Sequence, residues 1–241
     1  MPSFHTDPNL KDAIEILSRR NLRFWVNEGS LLGLIRDGEL IEWDHDIDIS
    51  LFSPGPNFVS LRGDFEKLGF EAQFAGLRRP GEAPIKFSRS GGRKIDLGVY
   101  ELRSFGNREY WTHEWFATDK FRPETTFSRI GVLVLRVIHR LGYSSRVGLM
   151  KRLGLGTLLA PLFVHLHSFL SRAWSLDATV GYFIERSLLE DMVVFSYGDI
   201  LCPVPRKAEQ VLEALYGQDW RIPKKSLRWT DFLSFPPGKR V

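Results

Sequence analysis

The chain has 241 residues, 43% of them hydrophobic and 26% charged, with a net charge of +4. That length buries one full core, and the composition is that of a globular protein, which excludes a disordered or fibrous chain. The single cysteine, Cys202, excludes an intramolecular disulfide and a cysteine-based zinc knuckle and fits a reducing cytoplasm, while the modest basicity suits an anionic partner without naming one.

The opening residues, Met1 to Asp7, carry neither the basic start nor the apolar core of a secretory signal. Asp7-Pro8 reads as an N-cap followed by proline at the first helical position, and Leu10, Ala13, Ile14 and Leu17 keep helical spacing, so a helix is predicted over 8–19. Phe24-Trp25-Val26 reads as a short strand ending at a Gly29-Ser30 turn, with a helix from Leu31 to Arg36. Asp46 to Phe52 is the next strand: Ile47, Ile49 and Leu51 face one way, and Asp46, Asp48 and Ser50 the other. A helix is predicted over 58–68, then strands over 70–74, 84–88, 93–100 and 109–115. In the third of these, Asp96 lies opposite the apolar set Ile95, Leu97 and Val99.

Composition shifts at Thr125. From there to Leu176 there is no Asp or Glu, while Arg129, Arg136, Arg140, Arg146, Lys151, Arg152 and Arg172 all occur. Ile130, Leu133, Val134, Val137, Ile138 and Leu141 form an apolar helical stripe. We read 125–176 as a basic amphipathic helical insert that contacts the membrane surface peripherally, with a solvated helical subdomain as its rival. It separates a catalytic core, 1–124, from a C-terminal helical part, 177–241, with a helix near 206–216 capped by Gly217 and a loop-rich end. The predicted fold is α/β (α+β): a mixed sheet flanked by helices.

Three carboxylates at alternate positions, Asp44, Asp46 and Asp48, make a poor core strand, because buried acids repel and cost several kcal/mol each. Side chains at i and i+2 of a strand lie roughly 6–7 Å apart on one side, a separation suited to oxygen-seeking ions, and Asp96 on a neighbouring strand completes a cage. Hard oxygen ligands favour Mg²⁺ or Mn²⁺. Backbone N–H groups and the hydroxyl at Gly29-Ser30 suit phosphate oxygens at a helix start, and Arg36 adds a charge-assisted bond. This arrangement requires Asp96 beside Asp46 and Asp48, with no lysine or arginine head among them.

The string Gly29-Ser30-Leu31-Leu32-Gly33, with Arg36, Gly38, Ile41, Trp43, Asp44, Asp46 and Asp48, resembles the LicD family, which includes fukutin and fukutin-related protein. Lys94-Ile95-Asp96-Leu97 resembles the family's later hydrophobic-Asp strand, and Val204-Pro205, Leu212, Tyr216-Gly217, Trp220 and Pro223 its C-terminal pattern. Glu42, Asp37 and His45 depart from the pattern without removing a presumed ligand. The resemblance implies a nucleotidyltransferase-type sheet and an enzyme that moves a phospho-alcohol, such as phosphocholine or ribitol phosphate, from a CDP-alcohol donor to a glycan or lipid-linked glycan acceptor. On that reading Asp46, Asp48 and Asp96 hold the metal, Asp96 accepts the hydroxyl proton, Asp44 assists, and Gly29, Ser30 and Arg36 grip the diphosphate. The location expected is cytoplasmic, peripheral at the membrane's inner face. A nucleotidyltransferase acting on an NTP and a non-catalytic membrane- or glycan-binding scaffold are the rival functions. Nucleic acid is not expected as a partner, because the basic residues sit in apolar helices rather than beside exposed aromatics.

Overall fold

The computed structural model describes residues 6–56, 58–74, 85–116 and 179–225, with single positions inside 130–170 and 232–237. Helix α1 runs Pro8–Arg19, and the Asp7 carboxylate accepts from the N–H groups of Asn9 and Leu10 as its cap. Strand β1 (Phe24–Val26) leads into α2 (Glu28–Arg36), followed by β2 (Asp46–Phe52), α3 (Phe58–Lys67), β3 (Glu71–Phe74), β4 (Ile85–Ser88), β5 (Lys94–Phe105) and β6 (Arg108–Phe116). After the insert come β7 (Thr179–Glu185), a 3₁₀ turn at Arg186–Leu188, β8 (Met192–Tyr197), β9 (Ile200–Pro205) and α4 (Ala208–Tyr216).

One seven-stranded sheet runs β1-β2-β5-β4-β3, and the outer half of β5 turns away to pair with β6, which in turn pairs with β7. β2 and β5 are parallel; the other pairings in this sheet are antiparallel. The class is therefore the mixed α/β sheet that the sequence predicts. Ile47, Ile49, Ile95, Leu97 and Phe87 are fully or almost fully buried. Phe87 stacks on Phe65 of α3 with ring centroids 3.8 Å apart, and Phe70 meets Phe65 edge-on. Because strand side chains alternate, packing this face under α3 turns Asp46, Asp48, Lys86 and Asp96 to the opposite face.

Two of the predicted elements differ in the structure. Helix α2 begins at Glu28, so Gly29 and Ser30 form its first turn rather than a preceding turn. The part after 177 is not mainly helical: β7 joins the large sheet, and β8 and β9 form a separate hairpin. Pro203 and Pro205 argue against a strand. β9 nevertheless pairs with β8 alone and needs no N–H groups on its other edge. Its Ile200, Cys202 and Val204 then alternate inward.

The stretch 125–176, where a basic helical insert is expected, lies mostly outside the described residues. Within it Ile130, Leu133, Val137, Leu166 and Phe169 are helical and exposed. Among the described residues no helix is long and apolar enough to cross a membrane.

Candidate functional site

The acid face of the sheet is assembled by register. Asp48 on β2 is the direct partner of Asp96 on β5, and Asp96 is the direct partner of Lys86 on β4. Strands lie about 4.8 Å apart, so these three side chains form one row across neighbouring strands. Asp46 stands one step back along β2, opposite Lys94.

Helix α2 closes this face from above. The N–H of Asn27 donates to the Asp48 carbonyl at 2.9 Å, and the Asp48 N–H donates to Ser30 Oγ at 3.0 Å. Ser30 is buried, and its hydroxyl thus ties the helix to the strand that carries the acids. The Asn27 side chain does not cap α2; its Nδ2 donates to Ser50 Oγ and to the Tyr100 hydroxyl, both at 3.0 Å. The first intrahelical bond runs from Leu31 N–H to Asn27 O, so α2 starts without a side-chain cap for its leading N–H groups. Glu28 begins the helix at φ +47°, a left-handed conformation that a non-glycine residue rarely takes.

Two glycines are demanded by close approach. A Cβ on Gly33 would lie 2.6 Å from the Glu39 carbonyl oxygen and 2.8 Å from the Ile41 nitrogen, so the loop carrying Trp43 and Asp44 packs directly on α2. A Cβ on Gly29 would meet the Asp44 carboxylate. The loop is held further by Asp44 itself, whose N–H donates to Ile41 O and whose Oδ1 accepts from the His45 N–H.

The electrostatics are those of crowded acids. Burial, a hydrogen bond shared with Asp46 and the Asp46 charge push the Asp44 carboxyl up to about 6. Burial first, then the charges of Glu28, Asp46, Asp96 and Asp44, hold Asp48 well above the ordinary carboxylate range. Burial also raises Asp96, against the pull of Lys86. Behind them, Tyr100 and Tyr182 are buried and Tyr216 is partly buried near Glu28 and Asp48, and their hydroxyls are held neutral by desolvation and by those charges.

Of the residues picked out from the sequence, Asp44, Asp46, Asp48, Asp96, Gly29 and Ser30 share this face. Arg36 does not join them. It sits at the far end of α2, about 10 Å of helix from Gly29, and its guanidinium pairs with both oxygens of Asp37 at 2.8 and 2.6 Å. Trp43 is partly exposed, with the Lys225 ammonium 4.3 Å from its ring centroid.

Lys86 is the correction to the expected cage. Its ammonium donates to Asp96 Oδ2, and among the described residues no three His, Cys, Asp or Glu side chains are gathered to hold an ion. Sequence spacing could not find Lys86, because nothing local links it to Asp96; only the β4–β5 pairing does. Glu28 and the tyrosines were missed for the same reason. The donor set still suits a hard cation. It is all oxygen, Asp48 is buried among like charges, and Asp96 Oδ1 is buried with no hydrogen-bond partner among the described residues. Asp46 and Asp48 are the residues that could hold such an ion.

Comparison with known proteins gives this face a lineage. The LicD/FKTN/FKRP nucleotidyltransferase-domain family matches residues 21–129, a span that contains α2, Asp44, Asp46, Asp48, Lys86 and Asp96. The human ribitol 5-phosphate transferase FKRP is 38% identical over 51 residues, 21% of this chain and 10% of that protein. An uncharacterised protein of Rickettsia prowazekii is 30% identical over 66 residues, 27% of this chain and 25% of that protein. These matches span a quarter or less of the curated relatives' lengths. A solution structure of the antibiotic-resistance factor ANT(2'')-Ia aligns over 69% of this chain and 91% of that one, at 15% identity and a TM-score of 0.30. The family match and the FKRP likeness agree with the motif that wraps α2 around Asp44, and they support a LicD-like nucleotidyltransferase domain over residues 21–129.

Proposed function

We propose that the protein transfers a phosphorylated alcohol from a CDP-activated donor to a glycan acceptor, using Mg²⁺ or Mn²⁺ at Asp46 and Asp48. The observation that carries this reading is the convergence of α2's uncapped start with the acid row of β2 and β5. A helix start offers N–H donors to phosphate oxygens, and the acids attract a cation that a diphosphate also attracts. When bound, a divalent ion would neutralise charge on the diphosphate and orient it for displacement.

The chain's own residues supply the rest. The N–H groups at Glu28, Gly29 and Ser30 receive donor phosphate oxygens. An acceptor hydroxyl oxygen bonds to the distal phosphorus, the phosphoanhydride bond breaks, and CMP leaves. The hydroxyl proton passes to Asp96 of the row or to Asp44 of the adjoining loop. Asn27, Ser30 and Tyr100 take no part in the bond changes and keep β2 and α2 in register. The exposed apolar positions Ile130, Leu133 and Val137, within a stretch free of acids, support docking at an anionic membrane surface that carries the acceptor.

Product analysis tests this reading. Incubation with CDP-ribitol or CDP-choline, a glycan acceptor and Mg²⁺ should release CMP, and Asp48→Asn should abolish that release. Pyrophosphate from an NTP would identify a nucleotidyltransferase instead. The absence of Mg²⁺-dependent nucleotide binding would favour a non-catalytic scaffold.

A further inference from the structure

Among the described residues Lys86 is a cation hydrogen-bonded directly to the acid row, and no motif draws attention to it. It pairs with Asp96 in the β4–β5 register and donates to Asp96 Oδ2. The charges of Asp46 and Asp48 bear on it as well, and although burial opposes its charge, these acids keep it firmly an ammonium. Its side chain remains 40% exposed, whereas Asp96 is only 18% exposed. The lysine therefore enters from the solvent side on a flexible stem, while the carboxylate is fixed in the sheet. The next residue, Phe87, is paired with Ile95 and stacked on Phe65 of α3, which anchors the backbone beneath the lysine.

We propose that Lys86 is the resident counter-ion of this site and exchanges with the divalent cation for Asp96. The proposal rests on the reading that Asp46 and Asp48 hold such a cation. In the ion-free protein the ammonium offsets the repulsion among Asp46, Asp48 and Asp96, a role that a buried acid cluster requires of something. Asp96 Oδ1, buried and without a partner among the described residues, stays available for the exchange. On release, the ammonium, on a side chain 40% exposed, can turn toward solvent. Lys86 is then a positioning residue for the ion and a phosphate contact for the donor, in that order.

Mn²⁺ binding, followed by loss of the free-ion EPR signal, tests this on the full chain without turnover. Wild type, Lys86→Met, Lys86→Arg and Asp48→Asn are compared after thermal melts in EDTA establish that each is folded. Removing the competitor should make Lys86→Met bind Mn²⁺ about tenfold tighter than wild type, equivalent to ~1.4 kcal/mol. Lys86→Arg keeps a cation and should bind no tighter than wild type, and Asp48→Asn should weaken binding at least about tenfold. Should Lys86→Met fail to fold, Lys86→Gln carries the same expectation. Unchanged or weaker Mn²⁺ binding in the neutral variant, with Asp48→Asn still impaired, overturns the exchange and leaves the metal reading standing. If neither wild type nor Lys86→Met binds Mn²⁺, the metal reading fails and the exchange fails with it.

Discussion

Gly29 stands against Asp44: a Cβ built on the glycine would lie 2.6 Å from Asp44 Oδ2 and 3.6 Å from Asp48 Oδ2. The absent side chain is what lets the start of α2 touch the acids. Gly29→Ala must displace the Asp44 carboxylate or tilt the helix, and neither group is a loose end, since Asp44 also accepts from His45 N–H. A stability loss of ~1–3 kcal/mol is expected, as for overpacking elsewhere, with turnover reduced at least about tenfold. Urea unfolding and CMP release measure the two. Full activity in a normally folded Gly29→Ala protein would show that the helix start does not contact substrate.

The crowding of acids makes a second expectation specific. Asp48 is buried and burdened by Glu28, Asp46, Asp96 and Asp44. Asp48→Asn removes that repulsion while keeping shape, so the ion-free variant should be as stable as wild type or more stable by about 1 kcal/mol. Its turnover should fall below detection. Melts in EDTA read the first and product release the second; a strongly destabilised Asn variant would mean that the carboxylate serves the fold instead.

The same groups set a pH dependence. Burial and the neighbouring acids push Asp44 up to about 6 against an ordinary 3.8, and Asp48 is also raised well above its ordinary value. The folded state then binds more protons than the unfolded chain through this window, so stability rises as pH falls. In EDTA the melting temperature should climb from about pH 7 to about pH 5. Asp64, Asp199 and Asp219 act the other way. Hydrogen bonds from their cationic partners hold them low, so their contribution is present above the ordinary carboxylate range and is lost only as pH falls through their lowered values. A melting temperature falling between about pH 7 and pH 5 would contradict the crowded-acid picture.

The exposed positions Ile130, Leu133 and Val137, at 57, 61 and 49% exposure, present apolar surface at helical spacing. The protein should float with vesicles containing phosphatidylserine and not with neutral ones, and Leu133→Glu should weaken flotation several-fold, with added salt doing the same. Equal recovery in the lipid-free fraction for both vesicle types would remove the membrane contact from the proposed function.

Much of this was legible in the chain because it is local. Strand alternation alone put Asp46 and Asp48 on one side of β2 and Asp96 opposite Ile95 and Leu97 on β5, and helical spacing delimited α1 and α3 to within a residue. The G-S-L-L-G string pointed to the family through the same residues that pack α2 on the acid loop. β7 and β8 went unread, since their short apolar runs sit between charged residues and owe their state to partners distant in the chain.

What the sequence determined by itself is therefore which residues are acids, which face each one takes on its own strand, and where the glycines fall; a two-residue period depends on nothing beyond the neighbouring peptide units. Which strand lies beside which, and at what offset, was decided only by tertiary pairing. That pairing set Asp48 against Asp96, brought Lys86 to Asp96, and left Arg36 with Asp37 at the other end of α2. The physical reason is that register depends on burying Ile47, Ile95 and Phe87 together under α3. Once that apolar face is closed, the charged face has no further choice of neighbours.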